Sequence, residues 1–191
     1  LRILRSHYEL CGLKTGFTIY DADDTKKAVQ AAMKDLNIDE KMLPIKGVVS
    51  QISRAKEKLL SPEAFAAQSN GDFRMEQVAR IYKKYEERME SSNALDFDDI
   101  ILRTVELLRD HAEIREKYAG RFLYASIDEF QDTNSAQFML TALLSGTHRN
   151  LMVVGDDDQS IYRFRGATVE NILGFDKSYT DAKVIKLEQN Y

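Results

Sequence analysis

Cysteine is almost absent from the 191-residue chain: Cys11 stands alone, which excludes an intrachain disulfide and fits a reducing compartment. Two prolines and nine glycines exclude collagen-like or proline-rich character and predict long, uninterrupted helices. Positive charge is not in excess either. Twenty-seven basic residues face 31 acidic ones, a net charge of −4, so no global field draws nucleic acid, although a local groove can still hold it. Long apolar runs are also missing: the stretch from Leu151 to Val154 is far below the roughly 20 residues of a membrane helix. The opening Leu1-Arg2-Ile3-Leu4-Arg5 lacks the apolar core of a signal peptide, so a cytoplasmic chain with no membrane partner is expected. A start other than Met leaves truncation or processing open. What is present, 43% hydrophobic and 30% charged residues, describes a globular chain.

The first two-thirds read as helices. Leu1, Leu4, Tyr8 and Cys11 recur at helical spacing, with Gly12 placed to end that helix. Ala28, Val29, Ala32, Met33 and Leu36 form an apolar stripe after the acidic start Asp23-Asp24, and Val48, Val49, Ile52, Ala55, Leu59 and Leu60 form another. Ser61-Pro62 supplies an N-cap and a first-turn proline. Val78, Ile81, Tyr82, Tyr85 and Met89 line a long helix whose Lys-, Arg- and Glu-rich face reads as solvated. Asp96 can cap a further helix carrying Ile100, Ile101, Val105 and Leu108.

The texture changes near Gly120. Phe122 to Ile127 and Leu151 to Val154 read as short buried strands, with a helix from Phe138 to Leu144 between them and a third candidate strand from Lys183 to Leu187. Apolar strands separated by helices predict a parallel α/β sheet, with ligands beyond the carboxyl ends of the strands. Chemistry is therefore expected at Asp128 to Asp132 and at Gly155 to Arg165. Adjacent acids at a strand tip can hold hydrated Mg²⁺ and activate a water, yet such acids also serve as ordinary turn and helix-capping residues. The second loop packs an amide, two aromatics and two arginines into seven residues, a composition suited to phosphate and unstacked bases. An equally open reading has Tyr162 and Phe164 packing under the sheet. His7, His111 and His148 are dispersed without ligand spacing, and Cys11 reads as a small core residue.

Together these residues resemble a known family. Asp128-Glu129-Phe130-Gln131-Asp132-Thr133-Asn134 is similar to motif II of the UvrD/Rep/PcrA superfamily 1 DNA helicases, and Val153 to Ala167 resembles their motif III. Leu187-Glu188-Gln189-Asn190-Tyr191 resembles the opening of motif IV, and Leu95-Asp96-Phe97-Asp98-Asp99 looks like the segment where the chain returns to the core lobe. The resemblance implies an ATP-driven motor moving 3′ to 5′ on single-stranded DNA and opening duplex junctions in repair or replication. It implies an α/β fold, part of a P-loop NTPase (RecA-like) lobe built from residues 1–19 and 94–191, with residues 20–93 as an inserted helical subdomain of the 1B type. It also implies roles: Asp128 for Mg²⁺ through water, Glu129 as catalytic base, Gln159 at the γ-phosphate and Tyr191 on adenine. Tyr162 and Phe164 would stack on bases, with Arg165 directed to DNA or the ATP site. Phe164 stands where the family commonly has Trp, keeping a stacking face of smaller area.

One part of an ATP site is not in this sequence. The nearest approach to G-x-x-x-x-G-K-[ST] is Gly12-Leu13-Lys14-Thr15, where Leu13 replaces the second glycine and Tyr8 the first, after a helix rather than a strand. The expectation is an internal piece of a longer helicase, inactive by itself. The alternatives are a non-catalytic nucleic-acid-binding or interaction module, or the helicase subunit of a nuclease–helicase repair complex.

Overall fold

The caps dictated by the sequence set most of the helices. The computed structural model describes residues 1–146, 148–156 and 179–186. Helix α1 (Arg2–Ser6) opens the chain, followed by a 3₁₀ turn at Tyr8–Cys11, so the single helix expected there is broken at His7. Gly12, at φ 70°, then ends the turn in the left-handed region that glycine enters without a Cβ clash. Helix α2 (Ala22–Asp35) is capped by Asp21, whose carboxylate accepts from the amides of Asp23 and Asp24. Helix α3 (Ile45–Glu57) follows Pro44, and α4 (Pro62–Gln68) carries the expected Ser61 cap and first-turn proline. Helix α5 (Phe73–Ser91) is capped by Asp72. Asp96 and Asp99 form a reciprocal capping box at the start of α6 (Phe97–Asp110), and α7 (Ala112–Ala119) follows His111 directly.

Two apolar cores result. The first joins α2, α3 and α5 through Val29, Met33, Ile52, Ile81, Tyr82 and Tyr85. The second joins α1, α6 and α7 through Leu4, Phe17, Leu107, Leu108, Ile114 and Tyr118. They meet at a two-residue parallel pairing of β1 (Thr18–Ile19) with β2 (Ala94–Leu95). Successive strand residues point to opposite faces, so Ala94 enters the first core and Leu95 the second.

Charge ties the same junction. Lys56 of α3 is fully buried, and its ammonium donates to Asp96 Oδ2 at 2.8 Å and Asp99 Oδ1 at 2.6 Å, with Glu86 Oε1 of α5 at 2.8 Å. Tyr85 donates its hydroxyl to Asp96 Oδ2 at 2.6 Å, and Arg103 reaches Glu86 at 3.4 Å. Burial opposes the lysine charge, but the surrounding carboxylates of Asp99, Asp96 and Glu86 outweigh it and hold the ammonium well above the ordinary range. Burial also pushes the Asp99 carboxyl up to about 7, against the pull of Lys56 and with the help of Asp96 and Glu86. Asp96 goes the other way: attraction to Lys56 and hydrogen bonds from Lys56 and Tyr85 overcome its burial and keep it below the usual carboxylate range. Glu86 therefore corrects the reading of the charged α5 face as wholly solvated.

Past α7 the chain forms β3 (Ala125–Ile127), α8 (Ser135–Ser145) and β4 (Leu151–Val153), with β3 and β4 parallel in the register Ala125 to Leu151, Ser126 to Met152 and Ile127 to Val153. The parallel α/β arrangement is as expected, but the strands are shorter and more open than the apolar runs predicted. Phe122, Leu123 and Tyr124 precede β3 as exposed residues, and Met152 in β4 is 58% exposed. Each strand has one hydrogen-bonded neighbour among the described residues, so alternate side chains face outward. The third candidate strand does not form over its described part: residues 183–186 are irregular, with Val184 and Ile185 both 72% exposed, because they pair with no strand there. Leu187 lies outside the described residues. No helix among those described is long and apolar enough to cross a membrane.

Candidate active site

Parallel pairing puts the carboxyl ends of β3 and β4 side by side. At the entry end, the Asn150 carbonyl accepts from Ala125 N–H at 2.9 Å and its side-chain amide donates to the Leu123 carbonyl at 2.9 Å. At the exit end, Val154 N–H donates to the Ile127 carbonyl at 2.8 Å, and Phe130 N–H returns to the Val154 carbonyl at 2.9 Å. The acidic segment is thus fastened across the tip of the sheet, where ligands of open parallel sheets bind.

Asp128 and Glu129 both lie exposed at this tip. Glu129 sits at φ 51° and ψ 43°, a left-handed conformation that costs a non-glycine residue about 1 kcal/mol or more and persists where its surroundings enforce it. Those surroundings are visible. Glu129 N–H donates to Asp128 Oδ1 at 2.9 Å, and Glu129 O accepts from Asp132 N–H at 2.8 Å in the 3₁₀ turn Phe130–Asp132. Phe130 is fully buried and packs edge-on against Phe138 of α8, with ring centroids 5.8 Å apart. The helix after this turn does not use the acids as its cap. Asn134 Oδ1 accepts from Gln137 N–H at 2.9 Å and Gln137 Oε1 accepts from Asn134 N–H at 3.1 Å, a complete capping box. Asp128 and Glu129 are thereby released from the capping role that the sequence left open for them.

Gln131 is the side chain that sequence reasoning passed over. It is 2% exposed, its amide nitrogen donates to Glu129 Oε2 at 2.6 Å, and its amide oxygen accepts from Asp156 N–H at 3.1 Å. The signal lay in the acidic run itself, where an amide stands between Glu129 and Asp132, but its partner across the sheet is 25 residues away.

Asp128 offers a hard oxygen donor at the strand tip. An exposed carboxylate of this kind fits a magnesium ion that keeps several of its waters, and the described residues contain no tighter cluster of three or more His, Cys, Asp or Glu. Gln159, Tyr162, Phe164, Arg165 and Tyr191 lie outside the described residues. Each histidine has a protein partner: His7 meets Tyr118 at 3.3 Å, His111 Nδ1 stands 3.7 Å from Glu113 Oε1, and His148 Nδ1 accepts from Asn150 N–H. Cys11 is half-buried against the second core, where burial pushes its thiol up.

Residues 1–180 match the model of the UvrD/REP helicase N-terminal domain. The chain belongs to this family. Among curated proteins it is similar to the ATP-dependent DNA helicase PcrA of Staphylococcus epidermidis, 43% identical over all 191 residues, and to that of Staphylococcus aureus, 42% identical over the same span. The chain covers 26% of the length of each of these relatives. As a UvrD/REP-type sequence it carries both strand-end segments, Asp128 to Asn134 and the Gly155-Asp156 start of the second loop, inside the matched region.

Proposed function

We propose that this chain supplies part of the ATPase lobe and an inserted helical subdomain of an ATP-dependent DNA helicase. The observation that carries the reading is the pair Asp128-Glu129 at the tip of a parallel sheet, with Glu129 held in a strained conformation and tied by Gln131 to the end of the adjacent strand. In this reading residues 1–19 and 94–191 belong to a RecA-like lobe, and residues 20–93, which contribute nearly all of the first core, form the insertion. A water attacks the γ-phosphorus of ATP as its proton passes to Glu129; the new O–P bond forms while the bond to the β,γ-bridging oxygen breaks, giving ADP and phosphate. Asp128 would hold Mg²⁺ through water, and the ion would supply positive charge against the phosphate oxygens. Gln159 contacts the γ-phosphate and Tyr191 stacks on adenine. Tyr162 and Phe164 form platforms for DNA bases, with Arg165 beside them. Gln159 and Phe164 stand five residues apart in sequence, so phosphate contact and base stacking move together, coupling hydrolysis to 3′-to-5′ translocation on single strands and to duplex opening in repair or replication.

Within these 191 residues no phosphate-cradling G-x-x-x-x-G-K-[ST] occurs, so the chain alone is inactive in this reading. The test is ATP hydrolysis and strand separation by the complete protein, measured with and without single-stranded DNA. Turnover stimulated by single strands supports the motor. Binding to single strands with no turnover would leave only a nucleic-acid-binding module.

A further inference from the structure

We infer that Gln131 is a positioning residue for ATP hydrolysis, a rigid link that holds Glu129 and ties it to the backbone at the end of β4. This rests on the proposed role of Glu129 as the base. Three observations carry it. First, the amide is almost fully buried, yet both of its polar ends are occupied, one by a carboxylate and one by a backbone N–H. Second, the amide orientation is fixed by its partners. Glu129 Oε2 can only accept from an N–H when ionised and Asp156 N–H can only donate, so a flipped amide would set oxygen against oxygen and N–H against N–H. Third, Glu129 is exposed and sits on a left-handed backbone, so its carboxylate has no enclosing wall of its own. Gln131, at the middle of the 3₁₀ turn and next to the buried Phe130, supplies the fixed point.

The link also joins the two strand ends of the site, from Glu129 after β3 to Asp156 after β4. Asp156 begins the segment that carries Gln159, so a displacement of that backbone reaches Glu129 through one side chain. A base must stand within about 0.5 Å of its productive position, and a misplacement of about 1 Å can cost about 100-fold in rate.

The test uses the complete helicase, with kcat and KM measured separately for ATP turnover. Gln131→Met removes both hydrogen bonds; it should lower kcat about 10- to 100-fold while KM for ATP stays within about twofold, because Glu129 acts on water rather than on bound nucleotide. Gln131→Glu keeps an oxygen to accept from Asp156 N–H but puts a second carboxylate beside Glu129. Like charges at that distance repel, so Glu129 loses its fixed position and kcat should fall at least as far as in Gln131→Met, again with KM for ATP within about twofold. Asp128 and Asp132 on the same loop and Asp156 across the tip are common to both variants and to the parent, so they do not account for the difference. Thermal unfolding checks folding; should Gln131→Met not fold, Gln131→Glu carries the test. A parental kcat in Gln131→Glu, where Glu129→Gln has lost turnover, overturns the link and leaves Glu129 as base. Full turnover in Glu129→Gln instead overturns the reading on which the link rests.

Discussion

Replacing Lys56 by methionine keeps most of the side-chain volume and removes the cation that faces Asp96, Asp99 and Glu86. All three carboxylates lie within 2.8 Å of the ammonium, and Lys56 has no exposed side-chain surface. Removing one partner of a buried ion pair costs about 3–5 kcal/mol, because the remaining charge is left without compensation. Two effects set where in that range the loss falls. Tyr85 still donates to Asp96 and Arg103 still reaches Glu86, which limits the loss. Asp99, already pushed up to about 7 by burial, takes a proton readily once Lys56 is gone, so the cost is largest above neutrality and shrinks as pH falls. Folding stability of an ordinary domain is about 5–15 kcal/mol. At pH 8 the substitution should therefore lower the urea midpoint by about 1.5–2.5 M, taking a slope of about 2 kcal/mol per M. The assay is equilibrium urea unfolding of parent and Lys56→Met at pH 8 and pH 5, with the slope required to stay constant. A midpoint change under about 0.5 M at pH 8, or a larger loss at pH 5 than at pH 8, refutes the reasoning.

Asp99 has a second consequence. Its folded pKa of about 7 lies above its unfolded value of about 3.9, so the folded state binds more protons between them. Its contribution to stability is then full below about pH 4 and is lost as pH rises towards 7, a slope that Asp99→Asn should remove from the urea midpoints. Asn134→Ala should cost about 1 kcal/mol through loss of the α8 cap, read as a lower unfolding temperature. An unchanged unfolding temperature would mean that the capping box adds nothing to the packing of Phe130 and Phe138.

The helices were legible in the sequence because their signals are local. Ser61-Pro62 and Asp96 announce starts, and the stripes from Val29 to Met33 and from Val48 to Ala55 turn inward as their spacing requires. The break at His7 was not legible, since the apolar spacing continues through it. Nor were β1 and β2: two residues carry no period, and their pairing joins positions 76 apart, Thr18 with Ala94 and Ile19 with Leu95. The run from Lys183 to Lys186 shows the converse, strand-like composition without a strand partner among the described residues. At the candidate site the acids were legible as a strand-end pair. Gln131 was not, because an amide between two acids reads as one more polar turn residue until the sheet brings Asp156 to it. Lys56 escaped for the same reason: its carboxylates stand 30 to 43 residues away in sequence, so only the fold assembles them.

The central claim is that Glu129 takes the proton from the attacking water. It is tested most directly by measuring ATP turnover and single-strand affinity side by side in the complete protein and in Glu129→Gln. Loss of about 100-fold or more in turnover, with affinity for single strands unchanged, is the predicted result. Turnover within a few-fold of the parent, or a parallel loss of both, would contradict it.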